Sequence, residues 1–426
     1  MSELPAPLFE LAWRELLFQH TDGLGDAFRS GTVSAYCGFD PTADSLHIGS
    51  LVPIMGLVHL QRAGHRPIAL VGGGTGMIGD PSGRSSERTL LDLGAIEANA
   101  AGIKSQLERF LDFDKAGGAK LMNNVDWLGK LSLMDFLRDT GKHFTVNYML
   151  SKDSVSARME DGISFTEFSY MLLQAHDFLE LHKREGVTLQ IGGSDQWGNI
   201  TAGLKLIGSS AGVVAHAMTM PLVTNADGSK FGKSSGASIW LDTNRTSVYT
   251  FYQYWIGADD RDISKWLRYF TLMSLEEISA LDLSVREHPE RREAQRALAA
   301  DVTARVHGAD AARVAAEVST LLFGKGDASS LSEEALAALR DEIPFVVHRE
   351  TSEAGNALDV LTWVTELGLA ASRGAAKRLL AQGGLSVNGV KLSEASSAVS
   401  REQLLRGRYA LIKKGARDYG LVEVPA

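Results

Sequence analysis

Cysteine is almost absent: Cys37 stands alone in 426 residues, which excludes an intramolecular disulfide framework and suits a reducing compartment. Long apolar runs are missing too. None reaches the roughly 18 residues that suggest a membrane span, and the opening MSELPAPLFELAWRELLFQH carries Glu3 and Glu10 where a secretory leader places basic and then apolar residues. The expectation is a cytoplasmic protein with no membrane partner. Internal repeats and long low-complexity tracts are also lacking. Basic charge is in deficit, at a net −9. That argues against coating nucleic acid with the whole surface and leaves room for a local basic site. Residues 356–426 are one such place, with ten Lys or Arg against six acids, although charge alone is equally served by a solvated surface.

What is present is ordinary globular composition, 44% hydrophobic and 22% charged, in a length that suits two or three domains. Residues 33–39 read as a strand ending in the turn Asp40-Pro41-Thr42-Ala43-Asp44, followed by a helical stretch from about Gly49 to Ala63. Arg66–Val71 and Thr188–Ile191 are further short apolar runs that end in glycines. Strands alternating with helices and ending in Gly-rich loops predict an α/β fold with an open parallel sheet, whose ligands sit at the carboxyl ends of the strands. From about Ser247 to Leu322 the pattern is helical; 323–330 looks like a boundary, and a last segment from about Ala357 reads as helix to Gln382, then short strands.

Three loops carry chemistry. Gly74, Gly76 and Gly79 match the dinucleotide spacing G-x-G-x-x-G, so a nicotinamide enzyme is a rival. Asp80-Pro81-Ser82-Gly83 follows where that fingerprint needs a helix, and the better reading is a loop that lets backbone approach a ligand, with Asp80 as a candidate carboxylate. Gly228–Ser234 ends like a Walker loop, but its leading glycine position is Asp227; what remains is Lys230 and Lys233, three apart, able to clamp a polyphosphate. The third is Asp40–Ser50, where His47 and Gly49 lie at the mouth of a helix. A helix N-terminus offers free N–H groups to phosphate, and Gly49 admits a nucleotide close to the backbone. No dedicated cluster of metal ligands is visible.

Residues 36–50, YCGFDPTADSLHIGS, resemble the HIGH signature region of class I aminoacyl-tRNA synthetases, and 230–234, KFGKS, resemble the KMSKS loop in its bacterial tyrosyl-tRNA synthetase form. FTEFSYMLLQAHDF (165–178) and QIGGSDQWGNITAG (190–203) are similar to that family's other signatures, and SRGAAKRLLAQGGLSVNG (372–389) is similar to an S4-type RNA-binding domain. The resemblance implies a Rossmann-like catalytic domain over 1–230, the KFGKS loop and a helical domain over 231–325, a linker at 326–355 and a small α+β S4-like domain over 356–426. It implies activation of tyrosine with ATP, release of pyrophosphate, transfer to tRNA(Tyr), Mg²⁺ accompanying ATP, a homodimer and no editing domain.

Carried over residue by residue, the resemblance puts Tyr36 and Asp177 at the substrate phenol, Asp80, Tyr170 and Gln174 at its ammonium group and Gln196 at its carboxyl. Cys37, Gly38, Asp40, Gly49, Ser50, Gly193 and Asp195 fall to ATP, with Cys37 and Asp195 at the ribose. Thr42, His47, Lys230 and Lys233 fall to the pyrophosphate, joined by Arg84 and Arg88 from a basic loop; Arg373, Lys377 and Arg378 fall to tRNA phosphates. The chain departs from the pattern where Ser50 replaces the second signature histidine and where His176 precedes Asp177 in place of a common tyrosine. Tryptophanyl-tRNA synthetase, another nucleotidyltransferase and a non-catalytic RNA-binding factor are the rivals. Tyr36 with Asp177 argues against the first, intact His47, Lys230 and Lys233 against the last.

Overall fold

A computed structural model of the chain describes residues 4–82, 91–115, 117–156, 159, 162–234, 236–323, 326–348, 357–393 and 398–425. Its contacts divide it into two compact units: the described residues up to Thr246 together with Gly257–Leu298, and Ser247–Ile256 together with the described residues from Ala299 onward.

The first unit is built on a six-stranded sheet of β1 (Gln19–His20), β2 (Ser34–Phe39), β3 (Arg66–Val71), β4 (Lys120–Asn123), β5 (Leu189–Gly193) and β6 (His216–Met220). Their spatial order is β1-β6-β5-β2-β3-β4, parallel throughout except that β1 runs antiparallel to β6. The chain leaves β2 toward β3 on one side, while β5 flanks β2 on the other. A topological switch point therefore lies between β2 and β5, and a crevice opens beyond their carboxyl ends. Five of the six residues of β2 are buried, as expected of a strand covered on both faces, which explains a continuous apolar run in place of alternation.

Six helices matter to the site: α1 (Ala6–Trp13), α2 (Leu51–Arg62), α3 (Leu93–Leu107), α4 (Phe165–Glu185), α5 (Trp197–Ala211) and α6 (Ile263–Phe270). α2 opens just beyond the His47 turn and buries nine of its twelve residues, Leu51, Ile54 and Leu57 among them. α4 starts where the Ser164 hydroxyl accepts the Glu167 N–H, and ends at Gly186 with φ 65°. That left-handed position is open to glycine at no steric cost. A small hairpin, β7 (Lys233–Ser234) and β8 (Ala237–Ser238), carries the Lys-rich loop. Residues 231–246, expected to begin a helical domain, belong to the first unit.

The second unit gathers the helices Val248–Ile256, Ala309–Leu322 and Glu333–Glu342 with a C-terminal sheet. Its strands are β9 (Phe345–Val347), β10 (Ala357–Asp359), β11 (Leu385–Val387), β12 (Val390–Lys391), β13 (Ala398–Ser400), β14 (Tyr409–Lys414) and β15 (Asp418–Glu423). Five of them form the sheet β12-β11-β14-β15-β9, and β10 pairs with β13. Tyr409 and Leu411 pack among Leu336, Leu339 and Val318, while Ala410 and Ile412 pack among Trp363, Val364 and Leu380. Alternate residues of one strand thus serve two cores. The expected linker at 326–355 is corrected here: it holds the helix Glu333–Glu342 and β9, which pairs in parallel with β15. Leu336 and Leu339, three apart, give that helix its buried stripe. The expected helix from Ala357 likewise begins as β10 and is broken into Val360–Glu366 and Arg373–Ala381.

Arg14 fixes α6. Only 2% exposed, it donates to the carbonyls of Arg268 (3.1 Å), Thr271 (3.0 Å) and Met273 (2.7 Å) and is neutralised by Glu10 at 2.7 Å. A cation here satisfies the acceptors that a helix C-terminus leaves open. Arg14→Ala strands those carbonyls, and chemical denaturation should show a loss of about 2–4 kcal/mol.

Candidate active site

A cleft of about 680 Å³ opens at the switch point. It is lined by Tyr36, Cys37, Gly38, Asp40, Thr42, His47, Gly49, Ser50, Asp80, Tyr170, Gln174, Asp177, Gly193, Asp195, Gln196 and Lys230. Sixteen of the residues singled out from the sequence, spread over almost 200 positions, therefore meet in one place. Lys233, at the start of β7, is exposed and not among the lining residues. Arg84 and Arg88 lie outside the described residues. Arg373, Lys377 and Arg378 belong to the second unit.

Asp177 on α4 is buried, 2% exposed. One carboxylate oxygen accepts Asn124 Nδ2 at 2.8 Å and the other Trp127 Nε1 at 2.7 Å. Asn124 is held in turn, its Nδ2 donating to Thr75 Oγ1 at 2.9 Å and its Oδ1 accepting the Gly74 N–H at 2.7 Å. Thr75 donates to Asp40 Oδ1 at 2.8 Å, and the Tyr170 hydroxyl to Asp40 Oδ2 at 2.7 Å. A chain of hydrogen bonds so runs Asp177–Asn124–Thr75–Asp40–Tyr170. Gly72 makes room for it, because a Cβ there would stand 2.0 Å from Asp40 Oδ1. Two buried polar atoms of the cleft lining have no hydrogen-bond partner among the described residues, the Tyr36 hydroxyl and Gln190 Oε1. Unsatisfied groups of this kind are costly and mark a place for a polar ligand.

Burial pushes the Asp177 carboxyl up to about 7, against the pull of the Asn124 and Trp127 hydrogen bonds and with some help from the Asp40 and Glu180 charges. Burial likewise holds the Tyr36 and Tyr170 hydroxyls above their ordinary range, assisted at Tyr36 by Asp177 and at Tyr170 by Asp40. Beside them, Asp80 accepts Gln196 Nε2 at 2.7 Å, the Ser82 N–H at 2.9 Å and Asn199 Nδ2 at 3.4 Å. Gln174 reaches Gln196 Oε1 at 3.4 Å. Asp195 is raised by burial, opposed by Gln196, and the Cys37 thiol is pushed up to about 12 by burial and the Asp195 charge. Such a thiol stays protonated at neutral pH, so Cys37 is no nucleophile.

At the cleft mouth, His47 caps the short turn Ile48–Ser50, its Nδ1 accepting the Gly49 N–H at 3.0 Å. The surrounding walls lower its pKa by desolvation. The neutral ring therefore carries its proton on Nε2, free to donate into the cleft. Lys230 is exposed and bridged through its backbone to Thr224. Sequence reasoning missed Thr75, Asn124, Trp127, Gln190, Asn199 and Trp240. Gln190 is a polar residue inside an apolar strand and Asn124 directly follows β4. Only the first of these stood out in the sequence.

This sheet, with nucleotide-type loops at its switch point and a deep polar pocket, defines a nucleotide-activating α/β enzyme. Residues 29–324 match the family model of "tRNA synthetases class I (W and Y)", and 336–422 match that of the "Tyrosine--tRNA ligase SYY-like C-terminal domain". Over 419 residues the chain is 51% identical to the tyrosine-tRNA ligase of Bacillus caldotenax, covering 97% of this chain and 99% of that protein. It is 51% identical to that of Anaeromyxobacter dehalogenans strain 2CP-1 over 414 residues, 97% and 98% of the two chains. A C-terminally truncated mitochondrial tyrosyl-tRNA synthetase from Aspergillus nidulans superposes with a TM-score of 0.68 at 31% identity, covering 75% of this chain and 94% of that one. The chain belongs to the tyrosine-tRNA ligase family of class I synthetases.

An aspartate ionises near 3.9 in the unfolded chain and near 7 in this fold. Between those values the folded state holds a proton that the unfolded state has released, so this group's contribution to stability is lost as pH rises. The melting temperature of the unliganded protein, taken relative to Asp177→Asn, is expected to fall from pH 5 to pH 8. A difference that stays constant would mean that Asp177 titrates at its ordinary value.

Proposed function

We propose that the chain activates L-tyrosine with ATP and transfers it to the 3' end of tRNA(Tyr). The observation that carries this reading is the unpartnered Tyr36 hydroxyl in a buried pocket with the Asp177 carboxylate. A phenol hydroxyl can donate to Asp177 and accept from Tyr36. A site built to bond a hydroxyl rejects the analogue lacking it, because its buried groups are then left unpaired. Asp80, Tyr170 and Gln174 receive the ammonium group, and Gln196 the carboxyl. Cys37 and Asp195 meet the ribose, along a wall formed by Gly38, Asp40, Gly49, Ser50 and Gly193.

In the first step the tyrosine carboxylate attacks the α-phosphorus of ATP and pyrophosphate leaves with the bridging electrons. No proton need move, so the protein contributes positioning and charge stabilisation. His47 Nε2 and Thr42 donate to the leaving phosphates, while Lys230 and Lys233, with Arg84 and Arg88, balance their charge. Mg²⁺ enters on the phosphates as part of the ATP substrate. In the second step a ribose hydroxyl of tRNA attacks the adenylate carbonyl and AMP leaves.

On the second unit, exposed Lys377 and Arg378 on the helix Arg373–Ala381 meet tRNA phosphates. Arg373 is engaged within the chain, paired with Asp359 and donating to Thr362 Oγ1 at 2.7 Å. It sets the helix for its neighbours. The working form is a cytoplasmic homodimer, for which Leu133, Met134, Val146 and Phe165, 60–77% exposed on the first unit, supply apolar surface.

Tyrosine should support exchange of pyrophosphate into ATP, and tryptophan should not; the reverse pattern, or no exchange, sinks the reading. The Phe165→Glu variant should sediment as a monomer where the parent sediments as a dimer.

A further inference from the structure

His47 can serve a departing phosphate only if its ring is held, and one bond to the Gly49 N–H leaves the imidazole free to swing about that contact. The second hold comes from a segment that sequence reasoning passed over. His47 forms an antiparallel bridge with Trp240, flanked by Ile48 N–H to Ile239 O at 3.1 Å and Leu241 N–H to Leu46 O at 2.9 Å. The two rings meet edge to face, centroids 6.3 Å apart at 72°, an arrangement that aromatic quadrupoles favour.

Trp240 is itself restrained. Its backbone N–H donates to Thr246 Oγ1 at 3.0 Å, and the Arg245 guanidinium lies 4.6 Å over its ring. Arg245 also pairs with Asp44, three residues before His47. The Asp242 N–H donates to Ser45 Oγ at 3.1 Å, closing the same zipper. Trp240 differs from the core tryptophans Trp255 and Trp363, which are sealed from solvent; it is half-buried and lines the cleft with His47 and Lys230. It also stands only seven positions beyond Lys233. One backbone pairing thus joins the two loops that supply the phosphate ligands.

We propose that Trp240 is a positioning residue for adenylate formation, orienting the His47 imidazole and tying the His47 turn to the Lys-rich loop. The inference rests on the reading of His47 as a pyrophosphate ligand. It assigns Trp240 no contact with the reacting atoms.

The test is a double-mutant cycle on tyrosine-dependent pyrophosphate exchange. Trp240→Leu is expected to lower kcat by about tenfold or more, the scale of loss when a catalytic group is misplaced, with the KM for tyrosine unchanged. Trp240→Phe, which keeps an aromatic edge, should recover most of the rate. In a His47→Gly background Trp240→Leu should cost little more, because residues that act as one unit are not additive. Additive losses overturn the inference and leave the reading of His47 standing, as does a raised KM for ATP at unchanged kcat, which would make Trp240 a direct nucleotide contact. If His47→Gly alone leaves exchange intact, the reading of His47 and the inference fall together. Should Trp240→Leu not fold, Arg245→Met removes the cap over the indole from an exposed position and carries the same cycle with the same outcomes.

Discussion

A carboxylate taken out of water must be answered by donors from the protein, and Asp177 is the group around which the first unit is arranged. Asn124 and Trp127 answer it directly, and neither is free to do so without further support. Asn124 needs Gly74 and Thr75, and Thr75 is fixed by Asp40, whose second oxygen is taken by Tyr170. The ends of β2, β3 and β4 and the middle of α4 are so bound into one network. Partial satisfaction of such a network costs more than an apolar core would. Among the described residues, the pocket keeps unused hydrogen-bonding capacity on Tyr36 and Gln190.

The groups proposed for catalysis stand in the opposite regime. His47 and Lys230 sit toward the cleft mouth, on a turn and a hairpin loop stabilised by backbone bridges more than by burial. A substrate pocket has to be desolvated to discriminate. Phosphate ligands have to remain accessible to a highly charged nucleotide and to its leaving group. Placing the pocket at the strand ends and the proposed phosphate ligands on the flanking turns lets one sheet meet both demands.

Much of this was legible in the chain itself. β2, β3 and β5 could be read from apolar runs that stop at glycine, since a strand covered on both faces needs no polar alternation. His47 and Gly49 could be picked out at a helix mouth and Lys230 in a Gly-flanked loop, and all three line the cleft, whereas Lys233 does not. Asn124, Trp127 and Thr75 could not be read, because an asparagine after a strand has many ordinary reasons to be there. Only the packing of α4 against the ends of β3 and β4 gives it a carboxylate to hold. Within the expected linker, residues 326–348 were misread for a related reason: their apolar stripe is short, and they become a layer of the second unit only once β15 offers an edge for β9.

The sequence by itself determined the strand–loop–helix order of the first unit and the residue types suited to nucleotide phosphates. These follow from local periodicity and from chemistry carried by single side chains. Tertiary structure alone decided which atoms are buried without partners, that Asp177 is poised near 7, and that Trp240 bridges to His47 almost 200 positions away. Desolvation and long-range contact are properties of the packed chain, set by what surrounds a group and not by its neighbours along the backbone.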